Sequence, residues 1–147
     1  MRTLTIDLEE LQMAFSNAMP ELTYYLDTET GEVLIDTPDL PLDVLPAAGA
    51  SSDERTAFKA RYLEVPSADS RRGYADMEEF INTVEDESLR GRLEVSIQGK
   101  GAFRRFKDVL RGTPERDRWH EFRDARLRQR VLAWLDEQGI QPNLDEA

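Results

Sequence analysis

The chain has 147 residues, of which 30 are acidic and 19 basic, for a formal charge of −11, with 39% hydrophobic and 33% charged side chains. A chain near 150 residues buries roughly 68–70% of its unfolded surface, so one domain can hold a core without staples. Cysteine is absent, which excludes disulfides, thiol catalysis, iron–sulfur clusters and cysteine-based zinc sites.

The opening MRTLTIDLEE carries acids where a signal peptide needs an apolar stretch, and no apolar run approaches the ~18 residues of a membrane span. A soluble cytoplasmic chain with no membrane contact is expected. Asp7, followed by Glu10 three residues later, has the form of a capping box, with Ile6 and Leu11 at the staple positions. Leu8, Leu11, Phe15 and Ala18 then predict a short amphipathic helix from Asp7 to Ala18, stopped by Pro20. Residues 22–27 and 32–36 are β-rich runs around TETG, where Gly31 supplies the positive φ of a hairpin loop. The stretch 37–54 holds Pro38, Pro41 and Pro46 and reads as a long loop. A third strand is expected at 61–65, ended by Pro66.

From Tyr74 onward the period becomes helical. Met77, Phe80, Ile81 and Val84 fall at i, i+3, i+4 and i+7, and Leu89, Leu93 and Ile97 continue on a second helix closed near Gly99. Ala102, Phe103, Phe106, Val109 and Leu110 form one arc of a third helix, ended by Gly112. Thr113 and Pro114 then read as the cap and first residue of a last helix reaching Gln138, with Gly139 beyond it. The fold class is α+β: a small three-stranded antiparallel sheet, at about 22–27, 32–36 and 61–65, packed by about five mostly C-terminal helices. The expected organisation is a single domain over 1–147, with an acidic sheet-bearing part at 1–66, a helical part at 67–140 and a short acidic tail at 141–147.

The charge is polarised along the chain. Residues 1–66 hold 13 acids and 4 bases, and residues 67–98 hold 8 and 4, whereas residues 99–138 hold 7 acids and 11 bases, a net of +4. Either the basic helices meet the acidic part within the protein, or they face an anionic partner.

The strings YYLDTETGEVL, RYLEVPSADSRRGYADMEEFI, GKGAFRRFKDVL and RWHEFRDARLRQRVLAWL resemble the bacterial uncharacterised protein family 0158 over about Leu22 to Ile140. The resemblance implies a prokaryotic intracellular protein of unassigned role, and it transfers no catalytic or binding residue.

Catalytic and cofactor chemistry has little support in these residues. His120 is the single histidine, the acids Asp36, Asp39 and Asp43 lack EF-hand spacing, and GKG at 99–101 lacks the remaining glycines of a dinucleotide fingerprint. No cofactor, metal or catalytic residue is assigned. The basic helices are the candidate binding surface: Gly99, Lys100, Gly101, Arg104, Arg105, Lys107, Arg111, Trp119, Arg123, Arg126 and Arg130. The last four share a stripe at i, i+4, i+7 and i+11, suited to guanidinium recognition of carboxylate or phosphate beside a stacking ring. The two glycines leave backbone N–H groups at a helix start, where an anion is favoured. The opposing reading places Arg123 and Arg126 against acids inside the fold. The expected function is a non-enzymatic protein-interaction or regulatory module with an unknown protein partner. The alternatives are a weak nucleic-acid binder using the same surface and a hydrolase of unknown substrate.

Overall fold

The protein is described by a computed structural model over residues 2–143. The predicted acidic tail at 141–147 lies outside the described residues from 144 on. In chain order the elements are β1 (Arg2–Leu4), α1 (Leu8–Phe15), β2 (Thr23–Asp27), β3 (Val33–Asp36), α2 (Ser52–Arg61), β4 (Tyr62–Glu64), α3 (Ser70–Ile81), α4 (Glu87–Ser96), α5 (Ala102–Leu110), α6 (Glu115–Glu137) and β5 (Ile140–Pro142). They form two compact units. One contains the described residues up to Ala68 together with those from Arg128 on, and the other is Asp69–Leu127.

In the first unit the Asp7 carboxylate accepts from the N–H groups of Glu9 and Glu10, starting α1 as its sequence predicts. Leu8, Leu11, Ala14 and Phe15 are buried. The helix stops at Phe15, short of the predicted Ala18, because side chains take over the backbone groups. The Ser16 hydroxyl donates to the Met13 carbonyl, and the Asn17 amide donates to the carbonyls of Met19 and Leu22. The three strands form an antiparallel sheet in the order β3-β2-β4, with Leu26 opposite both Val33 and Leu63. Gly31 closes the β2–β3 turn at φ +82°. A Cβ there would lie 2.2 Å from the Thr5 carbonyl oxygen.

Two features of this unit differ from the sequence reading. Helix α2 begins inside the stretch 37–54 that reads as loop. Ser51 caps it by accepting from the Glu54 N–H, and Phe58 fixes it by ring contacts of 5.5 Å to Tyr25 and 5.0 Å to Tyr62. No residue of α2 is fully buried, so no apolar stripe announces it. The serine–glutamate pair at three-residue spacing was its signal. The second feature is a separate two-stranded parallel sheet, in which β1 pairs with β5 with Arg2 opposite Ile140. The last turns of α6 contribute Val131 and Leu135 to this core, with Trp134 edge-on to Phe15 at 5.7 Å.

An ion pair between a buried carboxylate and a partly exposed guanidinium braces the sheet. Arg61 donates Nε to Asp27 Oδ1 at 3.1 Å and Nη2 to Oδ2 at 3.0 Å, and the Glu29 N–H donates to Asp27 Oδ1 at 2.9 Å. Asp27 is 3% exposed. The Arg61 hydrogen bonds hold its carboxyl below the ordinary carboxylate range, outweighing burial, which pushes upward. A depressed folded value stabilises above the unfolded value of about 3.9, and that stabilisation fades as pH falls through the folded value. Asp27→Asn is expected to cost roughly 1.5–3 kcal/mol at neutral pH, towards the lower figure because the Arg61 side chain is 39% exposed. In urea titrations the gap between wild type and variant should narrow at about pH 3. An unchanged gap would show that ionised Asp27 is not what the bridge contributes.

The second unit is built on the stripe predicted from its spacing. Met77, Phe80, Ile81, Val84, Leu89, Leu93, Ile97, Ala102, Phe106, Leu110 and Trp119 make one buried cluster. Asp69 and Asp86 cap α3 and α4 by accepting from the N–H groups of Arg71 and Leu89. Helix α6 begins at Glu115, one residue past the predicted Pro114. The Thr113 hydroxyl, expected to cap it, donates back to the Leu110 carbonyl at 2.7 Å. Between Asp69 and Leu127 there are 13 acids and 13 bases, so the unit is neutral, and the remaining 17 acids and 6 bases carry the entire −11.

Candidate functional site

Helix α5 is entered through a glycine-rich turn. Gly99 and Gly101 adopt φ of +77° and +78°, and Gly101 is the N-cap residue of α5, with no side-chain cap. The turn is fastened by Arg105. Its Nε donates to the Ser96 carbonyl at 2.9 Å, and its two terminal nitrogens donate to the carbonyls of Lys100 and Gln98. This guanidinium therefore satisfies carbonyls left over at the end of α4, a structural task that the sequence reading assigned to recognition.

Trp119 is also corrected. Its ring is 6% exposed and sits among Phe106 at 4.8 Å, Phe80 at 5.3 Å and Phe122 at 6.1 Å. It is a core residue, unavailable as a stacking platform, and its Nε1 is buried without a hydrogen-bond partner among the described residues. Arg126 pairs with Glu79 at 2.5 Å and lies 4.8 Å over the Phe122 ring. That matches the reading in which this arginine faces an acid of the fold. Arg123 is half-buried in the same unit, and Arg130 is half-buried in the portion of α6 that belongs to the first unit. The arginine stripe on α6 thus has members with different surroundings, because a helix 23 residues long passes from one core to another.

Several exposed cations lie together on α5 and the turn before it, while Arg71, Arg92 and Arg116 are exposed elsewhere in the unit. Lys100, Arg104 and Lys107 are exposed. None of the three makes a hydrogen bond or ion pair through its side chain with another described residue. Arg111 is 78% exposed and reaches Asp108 at 3.4 Å, an exposed i, i+3 pair that leaves its charge available. Arg104, Lys107 and Arg111 fall at i, i+3 and i+7, so they share one side of the helix.

The sequence reading missed two features of this unit. Arg118 lies 4.7 Å over the Phe80 ring while pairing with Glu115 at 2.5 Å, covering the aromatic cluster from outside. Between α4 and α5 runs an open cleft of about 760 Å³, lined by Gly91, Arg92, Val95, Arg105 and Val109 among others. Val95 is 69% exposed. It falls off the Leu89, Leu93, Ile97 spacing, which is the signal that it faces elsewhere. Among the described residues no group of three or more His, Asp or Glu could hold a metal ion, and no helix is long and apolar enough to cross a membrane.

Compared with known proteins, the whole chain, residues 1–147, matches the model of an uncharacterised protein family, UPF0158. The chain belongs to the UPF0158 family. It is 31% identical over 143 residues to the UPF0158 protein PA5073 of Pseudomonas aeruginosa, an alignment covering 97% of this chain and 88% of that protein. No solved structure matches. In this UPF0158 chain the string GAFRRFKD is the turn into α5 and most of that helix: Ala102 and Phe106 enter the core, Arg105 ties the turn, and Arg104 and Lys107 remain outside.

Proposed function

We propose that this UPF0158 protein is a protein-interaction module that recognises an acidic surface of its partner through Lys100, Arg104, Lys107 and Arg111. The carrying observation is that three of these cations are exposed, with side chains that make no described hydrogen bond or ion pair, on or beside one helix. Their exposed stems and mobile charges favour a rim contact that sets association rate and partner choice. A nucleic-acid reading has less support. Burial of Trp119 removes the proposed stacking ring, and a chain of −11 repels a polyanion at long range.

The test uses the full chain as bait in the native cell, comparing wild type with a Lys100→Glu, Arg104→Glu, Lys107→Glu triple variant. A partner whose cross-links map to α5 should be captured by wild type and lost from the variant, with the melting temperature unchanged. Identical capture by both would overturn the proposal. So would salt-sensitive oligonucleotide binding tighter than ~10⁻⁶ M, the upper end of ordinary non-specific affinity.

A further inference from the structure

We infer that the segment from Asp43 to Lys59, which contains most of α2, is a strap that opens by local unfolding and uncovers the Tyr25 and Tyr62 rings that Phe58 now covers. From Thr37 to Ala60 no residue is buried, and Ser51 to Ala57 are all exposed. Burial in the strap is partial and confined to Leu45, Pro46, Ala50 and Phe58. Its hydrogen bonds turn inward. The Ser51 hydroxyl oxygen accepts from the Glu54 N–H, and the Arg55 guanidinium donates to the carbonyls of Ala47, Ala48 and Ala50. Among the described residues no hydrogen bond or ion pair joins Asp43–Lys59 to the chain outside residues 42–62. The ring contacts of Phe58, at 5.5 Å to Tyr25 and 5.0 Å to Tyr62, are therefore its main hold on the sheet.

Both ends of the strap are fastened, so it can open without releasing the rest of the unit. At one end the Leu42 N–H donates to Asp36 Oδ1 at 3.0 Å. At the other, Arg61 holds Asp27 through two hydrogen bonds, and its carbonyl accepts from the Thr28 N–H at 2.8 Å. The cost of closing the loop is met whether the strap is down or up, whereas opening returns conformational freedom to every residue released. A helix of ten residues is marginal in water without packing, so α2 melts once Phe58 leaves its place. Local signals favour its return. Ser51 caps it, Asp53 and Glu54 stand in its first turn, and Lys59 and Arg61 stand in its last. The strap lies wholly in the first unit, so this inference does not depend on the proposed partner surface of α5.

Native-state hydrogen exchange of the full chain against urea tests it. In wild type the α2 amides should exchange about a hundredfold or more faster than the Leu26 amide of β2, and with little urea dependence, because a local opening exposes little surface. Phe58→Ala should leave α2 nearly unprotected while β2 stays protected, since Leu26 and the Arg61–Asp27 bridge are untouched. Ala57→Gly changes an exposed helical position. In wild type it should lower β2 protection about fivefold, the helix-propensity difference, because it weakens the closed form. In the Phe58→Ala background it should have almost no further effect, because the strap is already open. Three results would each overturn the inference: α2 amides with the urea dependence of β2, loss of β2 protection together with that of α2 in Phe58→Ala, or the fivefold effect of Ala57→Gly repeated in full in that background.

Discussion

Replacing Trp119 with alanine is expected to destabilise the Asp69–Leu127 unit by ~3–5 kcal/mol, the range for losing a large aromatic side chain from a core. The indole touches Phe80, Phe106 and Phe122, and edge-to-face ring pairs add to what area burial contributes. Trp119→Phe should cost less, about 1–2 kcal/mol. It keeps a ring in the site and removes the buried Nε1 that has no partner, offsetting part of the lost volume. Arg104→Ala, on the exposed side of α5, should stay within about 0.5 kcal/mol. Hydrogen exchange of the α3–α5 amides against denaturant is the appropriate measurement, because it reports this unit without relying on a probe in the other. If Trp119→Ala abolished partner capture while leaving that protection intact, the indole would be a contact residue and its assignment to the core would be wrong.

Gly31→Ala is expected to cost about 3 kcal/mol or more in the sheet-bearing unit. The φ of +82° is itself strained for an L side chain, by ~1–2 kcal/mol. The added Cβ also meets the Thr5 carbonyl oxygen at 2.2 Å, a backbone atom that can retreat only by moving the segment between β1 and α1. Gly99→Ala provides the comparison. Its φ is +77° and its Cβ position has nothing within 4 Å, so only the backbone cost, ~1–2 kcal/mol, should appear. Because the two glycines lie in different units, each loss is read by hydrogen exchange within its own unit against wild type, and the excess at Gly31 over the backbone cost measures the collision. Equal effects would mean that the Thr5 segment yields freely.

Much of the candidate surface was legible residue by residue, but not the role of each side chain. Arg104 and Arg105 are adjacent and chemically identical. Successive helical residues point about 100° apart, and the turn from α4 leaves carbonyls within reach of only one of them. Trp119 and Arg126 share a face on a helical wheel drawn for α6. One enters a core of three phenylalanines and the other spans from Phe122 to Glu79, because the wheel gives direction around the helix axis and no information about the neighbouring helices. The open cleft beside α5 could not be drawn from sequence, since it depends on how closely two helices approach.

By itself the sequence determined the elements whose causes are local: the Asp7 cap, the hairpin around Gly31, and the buried stripes of α3 and α4, each set by contacts within a few residues. It also determined the opposed charges of the two stretches, since charge counts need no geometry. Tertiary structure alone decided the β1–β5 pairing, whose partners Arg2 and Ile140 lie at opposite ends of the chain, and the existence of α2, held by ring contacts to strands on either side. It decided as well which basic groups are spent inside the fold. A guanidinium is satisfied by whatever carbonyl or carboxylate the packing brings within about 3 Å, and that distance is a property of the folded chain.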